Sequence, residues 1–524
     1  MIVVKLNQPQ FEYDIHSLVK AFYPAKEVKV VVEGNPDTTS LLALSKAKVG
    51  EEAALGLSEA ESALLQSESD TEISSDIPDI RVFLEEDRIF CRLEGRDRIS
   101  GDQIILEQGE TSSPEEERSS KKSKLKKLLY GILSSYTGQK LPWGNLTGIR
   151  PTKIAYGLLE EGKSREEIID HMQKAYDTSR EKAILSVDIA EREQGILSGL
   201  SGERGFSLYV GIPFCPTTCL YCSFTSYPIR QWKKRVSDYL TALEKEMDAM
   251  AEVFTGKVLD TVYIGGGTPT TLEPEEFVRL FTALQKKFDF SRVQEFTVEA
   301  GRADSITREK LQVMKDFGVT RVSVNPQTMK EETLKLIGRQ HTVEQVKEAF
   351  QLVREVGIPN INMDLILGLP EESIEDVANT MEEVKKLAPD SLTVHSLAIK
   401  RASKMSQWTR ENGTDSLQNT EETMETAARG AEAMGMKPYY LYRQKNIAGN
   451  LENVGYATKG NYGIYNILIM EEKQTIAALG AGTISKRVYP DGRIERCDAV
   501  KDVELYMQRI EEMIERKKVL FMDI

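Results

Sequence analysis

Cysteine is scarce in this chain of 524 residues: there are five, too few for a disulfide framework in a protein of this length. Cys91 and Cys497 stand alone, whereas Cys215, Cys219 and Cys222 are clustered, a pattern that favours metal or redox chemistry over bridges. Long apolar runs are missing as well; nothing approaches the ~20 consecutive apolar residues of a membrane span. The opening residues, MIVVKLNQPQFEYDI, lack the charged-then-apolar layout of a secretory leader, so a cytoplasmic location is the expectation. Positive charge is also in deficit. A net charge of −14 disfavours broad nucleic-acid binding, which needs a basic surface, and leaves room only for a local patch. What remains, 40% hydrophobic and 29% charged, is ordinary globular composition in a chain long enough for more than one domain.

Strands are predicted at 2–5 and 28–33, and a hairpin at 81–95. The acidic, Ser- and Ala-rich stretch at about 36–78 reads as a mobile insertion. A charged stretch at 107–127, acid first and then five lysines, reads as a linker entering a helix with a solvated lysine face; a patch for nucleic acid or an anionic surface is the alternative. Helical patterning runs over 125–136, resumes after 141–162, where Pro151 suits a helix start, and continues to about 197. GLSGERG at 199–205 reads as a domain boundary. The chain then divides into an amino-terminal α+β domain (1–200), a core (205–400) and a carboxyl-terminal extension (401–524). The extension mixes a helix across 413–435, strands in NILIMEE (466–472) and SKRVYPDGRIERC (485–497), and a last helix near 502–516.

Within 205–400, six β-rich runs at 207–212, 260–266, 295–300, 319–325, 361–368 and 391–397 alternate with helical patterns. That rhythm predicts parallel β/α units, in an open doubly wound sheet or part of a (β/α) barrel. The cysteines, spaced C-x3-C-x2-C, follow the first of these strands at its carboxyl end, where ligands and chemistry gather in parallel β/α folds. A cubane iron–sulfur cluster has four irons, so three local thiolates leave one iron open, as a catalytic centre needs. Structural zinc is the competing reading. It would want paired C-x2-C knuckles and a nearby fourth ligand, yet no histidine lies between His171 and His341. A plain buried-cysteine loop poorly explains such clustering.

With Tyr221 just before the last cysteine, the loop resembles the signature of the radical S-adenosylmethionine enzymes. The resemblance implies a [4Fe-4S] cluster whose fourth iron is chelated by the cofactor's methionyl amino and carboxylate groups. It also implies reductive cleavage to a 5′-deoxyadenosyl radical that abstracts hydrogen from an unactivated carbon. Further motifs follow in order: YVGIPFCPTTCLYCSF (209–224), YIGGGTPT (263–270), VEAGRAD (298–304), SVNPQTM (323–329), LIGRQHT (336–342) and NMDLILGLP (362–370). Together they resemble the oxygen-independent coproporphyrinogen III oxidase (coproporphyrinogen dehydrogenase) family, strongly over 205–400 and weakly to about 490. PWGNLTGIRPTKI, YYLYRQKN and the long amino-terminal extension resemble its Z-type branch.

From the resemblance, the fold class is α/β: a partial (β/α)6 TIM-like barrel with an α+β amino-terminal domain and a small carboxyl-terminal extension. Cys215, Cys219 and Cys222 would hold the cluster, and Tyr209 and Tyr221 match cofactor-contacting aromatics. Gly266, Gly267 and Thr268, after Gly265, would hold the methionyl amino group, and Glu299 the ribose hydroxyls. Gln327, Arg339 and Asp364 match contacts to a second cofactor molecule or the substrate side, and Ala398 and Ile484 match apolar contacts. Read alone, the glycines make a tight turn, Glu299 is an exposed strand-end carboxylate, Arg339 a helix-end cation and Asp364 a strand-end cap. His341 reads as structural. No catalytic side chain is assigned beyond cluster and cofactor.

The implied reaction, in porphyrin and haem biosynthesis, is oxidative decarboxylation of two propionates of coproporphyrinogen III to vinyl groups, giving protoporphyrinogen IX. It needs one or two molecules of S-adenosylmethionine, a reduced electron donor such as flavodoxin or ferredoxin, and an electron acceptor the sequence does not name. Four propionates call for cations at the pocket, with Arg302, Arg321, Lys400, Arg401, Arg443 and Lys445 as candidates. Two departures stand out. Phe224, a phenylalanine as in the related haem-chaperone branch, occupies a position where the decarboxylating members often have cysteine. That branch's HNxxYW-like motif is here Tyr465-Asn466-Ile467-Leu468-Ile469-Met470, without the histidine. A haem-binding or haem-delivering protein, and a radical enzyme with another substrate, are the alternatives.

Overall fold

The computed structural model describes residues 1–24, 26–33, 77–97, 100–148, 150–400, 402–413, 417–444 and 451–524. The expected mobile insertion lies, but for its last two residues, outside the described residues, as do Arg401 and Lys445. The chain forms two compact units. The first comprises Met1–Thr147 and His171–Arg180; the second comprises Gly148–Asp170 and Glu181–Ile524, so the unit limit falls well before 199–205.

The first unit is a five-stranded sheet of β1 (Ile2–Leu6), β2 (Val28–Val32), β3 (Asp79–Leu84), β4 (Arg88–Arg96) and β5 (Gln103–Thr111), in the order β2-β1-β3-β4-β5. Strict alternation along β1 and β3 buries Val4, Leu6, Ile80 and Val82 in one core. Ile15 and Leu18 of the helix Glu12–Phe22, and Leu125, Leu129 and Leu133 of the helix Arg118–Thr137, complete that core. The stretch read as a charged linker entering a helix (107–127) does enter the helix at Arg118, but its first residues, to Thr111, are the end of β5. β5 is mostly exposed and owes its conformation to the ladder with β4, a tertiary cause with no hydrophobic pattern to announce it. The lysine run is tied to local partners: Lys124 pairs with Glu116 at 2.9 Å, Lys126 is buried and donates to Thr147, and Lys127 donates to the Lys174 carbonyl.

The second unit is built on an eleven-stranded sheet. Its centre is β6 (Gly205–Ile212), β9 (Val258–Gly266), β10 (Glu295–Gly301), β11 (Arg321–Val324), β12 (Asn360–Leu367) and β13 (Ser391–Ser396). These are the six strands expected from the sequence, paired in parallel and in chain order. Helices connect them, several closed by capping boxes such as Thr342 with Gln345 and Ser373 with Asp376. The two-residue strands β7 (Phe214–Cys215) and β8 (Tyr227–Pro228) form a small ribbon beside the sheet.

The stretch after 400 does not stand apart. β14 (Lys437–Tyr442) and β15 (Asn453–Ala457) extend the sheet beyond β13, while β16 (Thr475–Leu479), β17 (Ile484–Val488) and β18 (Ile494–Asp498) extend it beyond β6. NILIMEE, expected as a strand, lies in the helix Ile464–Glu471. A short β-branched apolar run is ambiguous between the two. Here a long-range contact decides it: the buried Glu295 carboxylate accepts from the backbone N–H of Ile464 at 2.5 Å, satisfying a helix-start donor. Among the described residues no helix is long and apolar enough to cross a membrane.

Candidate functional site

The central strands are buried along nearly their whole length, with one recurring exception. Tyr209 on β6, Tyr263 on β9, Glu299 on β10, Asp364 on β12 and His395 on β13 are each only half-buried, between fully buried neighbours. The strand register shows that all five lie on one face. Tyr209 is opposite Tyr263, Tyr263 opposite Thr297, Glu299 opposite Ser323, Ser323 opposite Asn362, and Asp364 opposite Thr393. Steps of two residues along β10, β12 and β13 keep the same side. A single half-buried polar and aromatic row therefore lines one face of the sheet, on the same side as the buried Thr297, Ser323, Asn362 and Thr393.

The glycine segment at the carboxyl end of β9 stands between that row and the cysteine loop, with Gly265 against Glu299 and Gly267 against Cys215. Cys215 ends β7, Cys219 is buried, and Cys222 donates its backbone N–H to the Cys219 carbonyl at 3.2 Å. All three are free thiols. The loop is held from several sides: Leu220 N–H donates to the Ile337 carbonyl at 2.9 Å, and Met405 N–H to the Leu220 carbonyl at 2.8 Å. Leu220 and Tyr221 pack against a small core of Leu334, Ile337, Leu397 and Met405. Burial pushes the Cys215 thiol up to about 11, against the opposing pull of the Thr268 hydroxyl, and raises Cys222 as well. A coordinated thiol is deprotonated outright, so these groups suit metal ligation rather than a free thiolate's chemistry. Among the described residues, no three His, Cys, Asp or Glu side chains converge on a point that one metal ion would occupy. A cubane gives each thiolate its own iron and needs no such convergence.

The glycine segment approaches the loop through its backbone. Gly267 N–H donates to the Ile212 carbonyl at 2.8 Å and Thr268 N–H to the Phe214 carbonyl at 2.7 Å, while the Thr268 hydroxyl lies 3.5 Å from Cys215 Sγ. A Cβ at Gly267 would stand 2.5 Å from the Phe214 oxygen and 3.0 Å from Cys215 Sγ. One at Gly265 would stand 2.9 Å from Glu299 Oε2, filling the space before that carboxyl. Gly266 has φ 112°, a conformation side chains avoid. A free-thiol set beside a glycine cradle and a strand-end carboxyl fits the donor chemistry of a cluster with an amino-acid-bearing nucleoside cofactor.

Glu299 accepts a 2.5 Å hydrogen bond from the Tyr263 hydroxyl. Burial pushes its carboxyl up to about 7, helped by the nearby Asp364 and opposed by that hydrogen bond. Between pH 4.5 and 7 the folded chain thus binds more protons at this site than the unfolded chain, so stability falls as pH rises through that window. Thermal unfolding of wild type and Glu299→Gln across this range checks it. The melting temperature of wild type relative to the variant should decline with rising pH, and then level off above pH 7.

Gln327 and Asp364 meet through the backbone, and Arg339 reaches the Asn325 carbonyl two residues before Gln327. Gln327 has φ 70°, left-handed for a non-glycine residue, and is locked there by its N–H to the Asp364 carbonyl and by Ile366 N–H to its own carbonyl. Arg339 is buried, donates to the Asn325 carbonyl at 2.7 Å and to the Tyr221 hydroxyl at 3.0 Å, and leaves its Nε without a hydrogen-bond partner. Burial raises the Asp364 carboxyl, but His395 and Asn362 outweigh it and hold the group below its ordinary value. Ala398 follows β13, two residues past its end. Ile484 opens β17 and is exposed, next to the Gly480–Thr483 turn; a Cβ at Gly482 would lie 2.9 Å from Thr225. His341 is buried, 3.7 Å from Asp304.

The propionate cations fare differently. Arg302 forks onto Asp304 and reaches Thr217; Arg321 sits at the amino-terminal start of β11, donating to Asn362 and the Asn461 carbonyl; Arg443 is buried. Lys400 is half-buried. Two residues of the row, Tyr263 and His395, were not singled out from the sequence, nor was Tyr465, a helix residue stacked on Tyr263 at 4.5 Å and Tyr209 at 6.0 Å. Tyr263 shares its strand face with Gly265 by the period of two, a signal present in YIGGG. His395 bonds Tyr442 and lies 3.9 Å from Asp364; Tyr465 arrives from a distant helix and left no local signal.

The model of the Radical SAM superfamily matches residues 209–384, so the site belongs to a radical SAM protein, of a superfamily that works with a [4Fe-4S] cluster and S-adenosylmethionine. The chain is 43% identical over 391 residues to the oxygen-independent coproporphyrinogen-III oxidase-like protein HemZ of Bacillus subtilis, covering 74% of this chain and 78% of that protein. It belongs to the oxygen-independent coproporphyrinogen III oxidase-like family. It is also 37% identical over 196 residues to the heme chaperone HemW of Bacillus subtilis, covering 37% of this chain and half (50%) of that protein. To the oxygen-independent coproporphyrinogen III oxidase of Escherichia coli it is 34% identical over 208 residues, covering 39% and 45% respectively. The solved structure of coproporphyrinogen III oxidase (HemN) from Escherichia coli shares the fold, with TM-score 0.50 and 24% identity over 61% of this chain and 73% of that one.

Proposed function

We propose that Cys215, Cys219 and Cys222 hold the [4Fe-4S] cluster and that the chain removes hydrogen from the propionate β-carbons of coproporphyrinogen III. The observation that carries this is the half-buried row Tyr209, Tyr263, Glu299, Asp364 and His395, which the glycine segment links to the cysteine loop. Bound there, cluster and S-adenosylmethionine supply a 5′-deoxyadenosyl radical. The chain's own residues position and enclose. Gly265–Thr268 bring backbone against Cys215, where the methionyl amino group would be held, and Glu299 faces that space as acceptor for ribose hydroxyls. Tyr209 and Tyr221 would present aromatic surface, Gln327, Arg339 and Asp364 a second cofactor or substrate contact, and Ala398 and Ile484 further apolar contacts.

Loss of a β-hydrogen atom, then of carbon dioxide and one electron, leaves a vinyl group, and two rounds give protoporphyrinogen IX. The electron needs an acceptor, and cofactor cleavage needs a low-potential donor of the flavodoxin or ferredoxin kind. Anaerobic turnover of the reduced, reconstituted chain with S-adenosylmethionine and coproporphyrinogen III, followed by mass spectrometry, tests the reading. Two successive losses of a carboxyl group are expected; deoxyadenosine without decarboxylation would sink the substrate assignment.

A second reading, haem binding or delivery without decarboxylation, is favoured by two observations. Phe224, in the position where cysteine often stands in the decarboxylating members, is 77% exposed at the loop, and Arg302, Arg321 and Arg443 are buried rather than free for propionates. Stoichiometric haem retention with no carboxyl loss would select it.

A further inference from the structure

Arg302 follows directly on the end of β10 and is 3% exposed. One edge of its guanidinium, Nε and Nη2, donates to the two oxygens of Asp304 at 2.9 and 2.7 Å. The other nitrogen, Nη1, donates to the Thr217 hydroxyl at 2.6 Å and reaches the Thr217 carbonyl at 3.4 Å. Thr217 lies inside the C-x3-C segment, between Cys215 and Cys219. The pair is therefore oriented, with its cation toward the cysteine loop and its carboxylate behind. His341 backs the carboxylate at 3.7 Å, and burial keeps that imidazole below its ordinary pKa, so it adds no strong second cation.

Arg302 is buried while Asp304 is exposed, so the bidentate pair holds its cation inside, beside a metal-ligand loop, and its carboxylate at the surface. The desolvation of Arg302 is compensated only by full hydrogen bonding, which Asp304 and Thr217 supply. A cluster held by three thiolates is anionic and gains one further negative charge on reduction. A fixed cation in a poorly screened interior favours the more negative state, and cluster potentials respond to such local charge.

We infer that Arg302 is a positioning residue that pins the cysteine loop through Thr217 and, by fixing positive charge at the segment between Cys215 and Cys219, makes the bound cluster easier to reduce. The inference rests on Cys215, Cys219 and Cys222 being the cluster ligands. Asp304 then has the opposite electrical role: it orients Arg302 and attenuates its field at the loop.

The test is an EPR-monitored redox titration of the anaerobically reconstituted full chain without S-adenosylmethionine, with iron and sulfide content measured on each sample. Arg302→Gln should load a cluster whose midpoint potential is more negative than wild type. Arg302→Lys, which keeps the charge and loses the fork, should lie close to wild type. Asp304→Asn should shift the potential the other way, to a more positive value. If Arg302→Gln does not load, the sign of the Asp304→Asn shift decides. Equal potentials for wild type and Arg302→Gln at equal iron content, or shifts of the same sign in Arg302→Gln and Asp304→Asn, overturn the inference while leaving the ligand assignment intact. A wild-type chain that takes up no cluster removes the ligand assignment itself and the inference with it.

Discussion

Cys219→Ala is expected to reduce cluster-bound iron to background and to abolish formation of 5′-deoxyadenosine, with secondary structure unchanged by circular dichroism. The expectation follows from the thiol count. Two loop thiolates would remain, and neither other cysteine can substitute: Cys91 lies in the core of the first unit, with a thiol pushed up to about 12 by burial, and Cys497 is buried on β18. Each is held in its own packing, and neither belongs to the eight-residue loop that carries the other three. Cys91→Ser and Cys497→Ser are accordingly expected to keep full iron content. Iron and sulfide analysis of the three variants checks the account at once, since a cluster that survives Cys219→Ala would mean that the loop is not its seat.

Gly267→Ala should have the next largest effect. An added Cβ would stand 2.5 Å from the Phe214 carbonyl oxygen and 3.0 Å from Cys215 Sγ, and the first of these is backbone that cannot swing aside. The strand-end hydrogen bonds of Gly267 to Ile212 and of Thr268 to Phe214 must then lengthen, displacing the cradle from the cysteine loop. Overpacking of this kind costs about 1–3 kcal/mol of stability. The loss in turnover should be steeper, ~100-fold, because small displacements of positioning groups are magnified in rate. Chemical denaturation and single-turnover cofactor cleavage measure the two separately. Gly162→Ala, a glycine with open space around it, serves as the control, although its φ of 78° leaves some strain.

Much of the core was legible because its pattern is local. Six apolar runs separated by helical spacing announce parallel β/α units, whereas Tyr209 and Glu299 were singled out by the family resemblance and not by any periodicity of their strands. The cysteine spacing singled out the loop because it too is local, being contained in eight residues. What sequence reading missed depends on partners far along the chain. The run at 466–472 became helical through Glu295, some 170 residues away, and β5 formed on its ladder with β4 despite nine mostly exposed residues. β16 joins in parallel beside β6 across more than 260 residues, a pairing no local window contains. Arg302 is the instructive case among the site residues. Its sequence position offered a propionate-binding cation, but the structure commits it to Asp304 and Thr217. Which of several arginines meets solvent and which meets a neighbour is a packing outcome, invisible in spacing.

The central claim is that a radical generated at the cysteine loop takes hydrogen from a propionate side chain. The most direct measurement is an anaerobic turnover with coproporphyrinogen III deuterated at the propionate β-carbons, reading isotope content in the 5′-deoxyadenosine formed. Deuterium transferred to deoxyadenosine in step with carbon dioxide release is the predicted result. Deoxyadenosine that forms with no deuterium, in the presence of intact coproporphyrinogen, would contradict it.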